Sequence, residues 1–128
     1  MLMPDKNYAI SVDVQPAYIA EQSDPMNNQY VFSYTVTIKN TGNIPAKLIT
    51  RHWIITDGDG ETQEVKGEGV VGETPYLKPG EDYSYTSGTM MKTPIGTMHG
   101  SYQMIADDGV SFDAEIPSFS LNVPNMLH

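Results

Sequence analysis

The sequence predicts an all-β chain folded as a two-sheet sandwich, and three observations carry that prediction. Chain breakers are dense, with 11 Gly and 9 Pro in 128 residues. Between them lie short segments rich in Val, Ile, Thr, Tyr and Phe with period-two alternation. The longest Pro-free interval, 46–74, is occupied by β-branched residues and a DGDG turn, which leaves little room for helix. The length suits one domain over 1–128 and allows on the order of two-thirds of the unfolded surface to be buried without staples.

The elements follow in order. Tyr8, Ile10, Val12 and Val14 alternate with Ala9, Ser11 and Asp13, which predicts a first strand that Pro16 ends or bends, as suits an edge position. Tyr30, Phe32, Tyr34, Val36 and Ile38 share one face of the cleanest half-buried strand. The stretch 48–56 (LITRHWIIT) is apolar on both faces in places and predicts a central strand with Trp53 as core anchor. Asp57-Gly58-Asp59-Gly60 signals a hairpin whose polar return arm, 61–66, is an edge. After a glycine-rich loop come Tyr83 and Tyr85. Next is a strand with Met98, Gly100, Tyr102 and Met104 on one side, turned by Asp108-Gly109. Its partner places Val110, Phe112, Ala114 and Ile116 inward; Pro117 closes it, and Phe119 with Leu121 forms a last strand. About seven or eight strands with such turn spacing point to an immunoglobulin or fibronectin type III-like sandwich.

Charge narrows the functional classes. Seven Lys and Arg against 16 Asp and Glu leave a net charge of −9, which argues against binding nucleic acid or an anionic membrane surface. No apolar run approaches the ~20 residues that span a bilayer, and the first ten residues lack a signal-peptide pattern. A soluble cytoplasmic protein is expected. The absence of Cys removes thiol nucleophiles, thiolate metal sites and disulfides.

Gly67-Glu68-Gly69-Val70-Val71-Gly72 has the spacing G-x-G-x-x-G, which in dinucleotide-binding folds turns a strand into a helix whose amides receive a pyrophosphate. Here no helix pattern follows, and Glu68 and Glu73 would face phosphate with like charge. A connector between strands that needs positive φ or close backbone approach explains it better. Asp57, Asp59 and Glu61 alternate as calcium loops begin, but Thr62 stands at the sixth position where Gly is required. His52, His99 and His128 are too scattered for a metal spacing, and Ser87 lacks a nucleophile elbow. Of eight Met, Met98 and Met104 share the inward register with Tyr102 and read as core.

Thr50–Asp57 (TRHWIITD), Gly67–Gly80 (GEGVVGETPYLKPG), 85–88 (YTSG), 93–102 (TPIGTMHGSY), 116–119 (IPSF) and the closing Leu127-His128 resemble the bacterial ApaG family, over nearly the whole chain from the Tyr30 strand onward. The resemblance implies a fibronectin type III-like sandwich. It also implies an association with cobalt resistance and magnesium transport. Related domains in eukaryotic proteins, an F-box protein and a polymerase-interacting protein among them, look like protein-interaction modules. The family's glycine motif, here Gly67, Gly69 and Gly72, is described as a possible pyrophosphate-binding sequence, and no catalytic residue is implied. The expected function is therefore a non-enzymatic, cytoplasmic protein-interaction module, indirectly linked to Co²⁺ and Mg²⁺ resistance or efflux, with an unidentified protein partner and no cofactor, metal or membrane insertion. Its candidate recognition residues are Arg51, His52, Trp53, Glu68 and Glu73, since loops at the end of a rigid sandwich are where such folds place binding residues. The alternative is a small-ligand protein that holds a phosphorylated nucleotide or a divalent cation at the glycine loop.

Overall fold

A computed structural model describes residues 5–124. Eight strands form two packed antiparallel sheets: β1 (Ile10–Tyr18), β2 (Tyr30–Asn40), β3 (Ala46–Asp57), β4 (Thr62–Glu68), β5 (Tyr76–Leu77), β6 (Asp82–Met91), β7 (Ile95–Ala106) and β8 (Ser111–Asn122). One sheet runs β1-β2-β6, and the other runs β4-β3-β7-β8 with β5 added beside β3. Only two single 3₁₀ turns, Ala20–Gln22 and Pro25–Asn27, interrupt the β structure of the described residues, and among these residues no helix is long and apolar enough to cross a membrane.

Alternation sets the core. Phe32, Tyr34, Val36 and Ile38 of β2 face Leu48, Trp53 and Ile55 of β3 and Met98, Tyr102 and Met104 of β7 in one buried cluster. Trp53, 2 % exposed, stands at its centre with ring centroids 5.2 Å from Tyr34, 6.0 Å from Phe119 and 6.4 Å from Tyr102. The hydroxyls of Tyr85 and Tyr102 hydrogen-bond to each other across the sheets. Burial pushes the Tyr85 hydroxyl up to about 12 and Tyr102 higher still, so both stay neutral and the pair adds no charge to the core. Asn40 is the buried polar side chain: its amide donates to the carbonyls of Ile44 and Leu77 and its oxygen accepts from Gly42 N–H, tying the end of β2 to β5.

Neither strand proline terminates its strand, although β1 does hold the edge position expected for Pro16. The first strand does not stop at Pro16, which pairs with Tyr34 while β1 continues to Tyr18; the bonds Ile19 N–H to Val31 O and Thr41 N–H to Ala9 O put Pro16 at a position whose N–H would point outward from this edge strand, so its loss removes no ladder bond. Pro117 does not close a strand either. Strand β8 runs through it because the register slips there: Met98 pairs with Phe119 and Gly100 with Ile116, so Pro117 and Ser118 stand opposite His99 alone, as in a bulge. Of the residues expected to point inward on β8, Ala114 and Ile116 are buried, whereas Val110 is 41 % exposed in the turn before the strand.

The segment before β1 is tied down at the β7–β8 turn. Asp108 accepts hydrogen bonds from the Tyr8 hydroxyl (2.5 Å) and from Lys6 Nζ (2.9 Å), and these hold its carboxyl well below the ordinary 3.8, at about 2. A carboxyl depressed in the folded state stabilises above its unfolded value and loses that contribution as pH falls through the folded one. Amide signals of residues 5–9 are therefore expected to move between about pH 4 and pH 2, a transition that Asp108→Asn removes.

Candidate functional site

The glycine motif is a strand end and a tight turn. Gly67 is the penultimate residue of β4, opposite Arg51 of β3. Arg51 points inward beneath it, and its Nη1 donates to the carbonyls of Glu68 (2.8 Å) and Gly69 (2.9 Å). A Cβ at Gly67 would sit 2.7 Å from that guanidinium, so the glycine makes room for the clamp. Beyond it, Val70 N–H donates to Glu73 O at 2.8 Å and Glu73 N–H to Val70 O at 2.9 Å, closing a two-residue turn. Its central residues, Val71 at φ +44° and Gly72 at φ +83°, both lie at positive φ, the signature of a type I′ turn.

A β-branched residue at positive φ is an outlier, and such strain persists only where the surroundings over-determine it. Here Val70 is buried in the core, Gly69 N–H bonds to Ile49 O at 2.8 Å, and Arg51 holds the preceding carbonyls. Val71 is thereby presented to solvent, 57 % exposed. The same bonds commit the amides of Gly69, Val70 and Glu73 to carbonyls, and the chain continues into β5 rather than into a helix. A pyrophosphate cradle of the helix-terminus kind, with successive free amides, is not what this turn offers.

The structure brings Arg51, Gly67, Glu68, Gly69, Gly72 and Glu73 into one unit, with the side chains of Glu68 and Glu73 exposed. Trp53, expected on the recognition surface, is corrected: its place in the inward register of β3 buries it, so it can act only through the core. Arg51 is half-buried and acts as the clamp of the turn. His52 lies on the outer face, where its Nε2 is 2.6 Å from Glu64 Oε1 of β4. His99, on β7, pairs with Ile54, and His128 lies outside the described residues. Asp57 spends its carboxylate on the N–H groups of Asp59 (2.9 Å) and Glu61 (3.0 Å) within its own hairpin turn. No group of three or more His, Cys, Asp or Glu able to hold a metal ion occurs among the described residues.

Beside the turn lies an apolar surface that the motif analysis missed. Lys47 of β3 is flanked by Tyr76 of β5 and Ile105 of β7, and Ile49 is the extra residue where the β3–β7 register slips. Ile49, Tyr76 and Ile105 are exposed, and the Tyr76 hydroxyl is fixed to Asp107 Oδ2 at 2.7 Å. Two shallow depressions, of about 490 and 440 Å³, cross this face and share a wall formed by Thr50 and Gln103. Those two side chains are joined by a 2.8 Å hydrogen bond. The signal in the sequence was Ile105: it alternates with the inward Met104 and Ala106 and had to face out.

The comparisons with known proteins agree with this architecture. The ApaG domain family matches residues 20–106. Protein ApaG of Thiobacillus denitrificans is 59 % identical over 123 residues, covering 96 % of this chain and 97 % of its own. Protein ApaG of Dechloromonas aromatica is 58 % identical over 127 residues, covering 98 % and 100 %. A crystal structure from Bordetella pertussis, solved as an ApaA protein, superposes with a TM-score of 0.91 at 53 % identity, covering 96 % of this chain and 100 % of that one. With the sandwich, the clamped glycine turn and a likeness that runs almost end to end, the chain belongs to the ApaG family.

Proposed function

We propose that this chain is a non-enzymatic, cytoplasmic protein-binding module. Its docking surface is the glycine turn with the adjoining outer face of the five-stranded sheet. One observation carries the reading: Ile49, Val71, Tyr76 and Ile105 are exposed apolar side chains at one end of a rigid sandwich. Apolar surface gathered in one place on a small domain marks interaction sites. Preorganisation adds to the case, because a turn fixed by Arg51 and by the burial of Val70 loses little conformational freedom on binding. The connection to cobalt and magnesium homeostasis is exerted through the bound protein.

Complementation of a cobalt-sensitive strain lacking this protein tests the reading. Val71→Asp combined with Ile105→Asp is expected to fold and to fail to restore growth on cobalt. Thr35→Asp, on the outer face of the other sheet, is expected to restore it. A folded double variant that restores growth as well as the unaltered chain contradicts the proposal.

A further inference from the structure

Where β4 and β6 form the edges of the two sheets, a cavity of about 290 Å³ opens between them. A sandwich ordinarily fills that space with apolar side chains from both inner faces. Here the inner faces turn polar. On β6 the alternation that buries Tyr85 and Met91 also turns Ser87 and Thr89 inward, and Tyr34, the partner of Ser87 on β2, joins them. From the other sheet come Arg51 of β3 and Gln63 of β4, with Trp53, Ile55 and Met98 as an apolar wall.

These polar groups are left without partners. Among the described residues no hydrogen bond uses the hydroxyls of Tyr34, Ser87 or Thr89 or the Gln63 amide, although Tyr34 is only 6 % exposed. Since no buried side-chain nitrogen or oxygen among the described residues lacks a partner, these atoms face open space. Arg51 commits only Nη1 to the carbonyls of Glu68 and Gly69, so Nε–H and Nη2–H, the side edge of the guanidinium, have no acceptor. Among the described residues that line the cavity, Arg51 alone is charged. In a chain of net charge −9, a recess that holds a cation and no carboxylate is set up for an anion.

We infer that this cavity is a binding site for a small monocarboxylic acid. The free side edge of Arg51 matches a carboxylate bidentately, and the hydroxyls of Ser87 and Thr89 are free to donate to the same oxygens. Trp53, Ile55 and Met98 receive the hydrocarbon body. A single guanidinium balances one negative charge, whereas the second charge of a phosphate would meet no cation, and the amides of Gly69, Val70 and Glu73 are already bonded within the chain. The volume stands at the lower end of the ~300–1,000 Å³ usual for ligand pockets, so the body is short. The site lies between the sheets, apart from the outer face that carries the docking surface.

The test is a titration of the isotope-labelled protein with sodium hexanoate, against sodium chloride at the same ionic strength. A dissociation constant on the order of 1 mM is expected for an acid of this size. The Arg51 Nε–H and Trp53 indole signals and the amides of 63–67 and 87–89 are expected to shift. Hexanamide, the neutral analogue, and inorganic phosphate are expected to bind at least about tenfold more weakly. Ser87→Ala combined with Thr89→Val is expected to weaken hexanoate binding about tenfold with the fold intact, and Arg51→Lys to abolish it. If Arg51→Lys opens the turn, seen as displaced amides of Val70 and Glu73, the β6 double variant carries the test. No shifts beyond the chloride control, equal binding of hexanamide, tighter binding of phosphate, or shifts centred on His52 and Lys66 of the outer face would each overturn the inference. So would a folded β6 double variant that binds hexanoate as tightly as the unaltered chain.

Discussion

Trp53→Ala is expected to lower the free energy of unfolding by about 3–5 kcal/mol, read as a drop in the urea midpoint at unchanged slope. The indole is buried from both sheets. Tyr34 of β2 packs against it from one side, while Tyr102 and Phe119 meet it edge-on from its own sheet. Deleting it leaves a cavity that three aromatic rings fixed in separate strands cannot collapse to fill. The result also bears on function. A Trp53 variant that binds its partner normally once folded removes this residue from recognition, whereas a binding defect in a fully folded variant would return it there.

The second large effect is expected at Gly69→Ala, about 2–4 kcal/mol, combining left-handed strain with overpacking. At φ +60° the new methyl would collide with the carbonyl oxygen of Glu73, which is the acceptor that closes the turn on Val70 N–H. Relief of that collision opens the turn and draws Val70 out of the core. Gly72→Ala is the control. Its φ is +83°, but nothing lies within 4 Å of the added methyl, so only the conformational cost of about 1 kcal/mol applies. Equal losses at the two positions in parallel denaturation curves would show that backbone conformation, not the contact with Glu73, makes this motif need glycine.

Most of the fold follows from local rules because its strands alternate cleanly. Tyr30 to Ile38 places one face in the core, and Asp57-Gly58 and Asp108-Gly109 turn the two hairpins as their chemistry requires. Local rules failed where pairing partners decide. Pro117 looked like a terminator because its tolerance depends on a bulge opposite His99, a property of two strands together. Trp53 drew two incompatible readings, core anchor and recognition residue, until the register of β3 chose between them. At the site, the glycine spacing announced a special backbone. What it could not announce is the clamp, since Arg51 and the Glu68 carbonyl are 17 residues apart and meet only through the β3–β4 hairpin. The apolar outer face is assembled from β3, β5 and β7, so no single stretch of sequence displays it.

The most direct measurement is site-specific photo-crosslinking in cells, with benzoylphenylalanine introduced at Val71 and, separately, at Thr35 on the outer face of the three-stranded sheet. The expected result is a discrete protein adduct from position 71 that is lost when Ile105→Asp is added, and no adduct from position 35. Adducts of equal yield from both positions, or none from position 71 in a chain that folds, would contradict the assignment of the glycine turn and its adjoining sheet face as the docking surface.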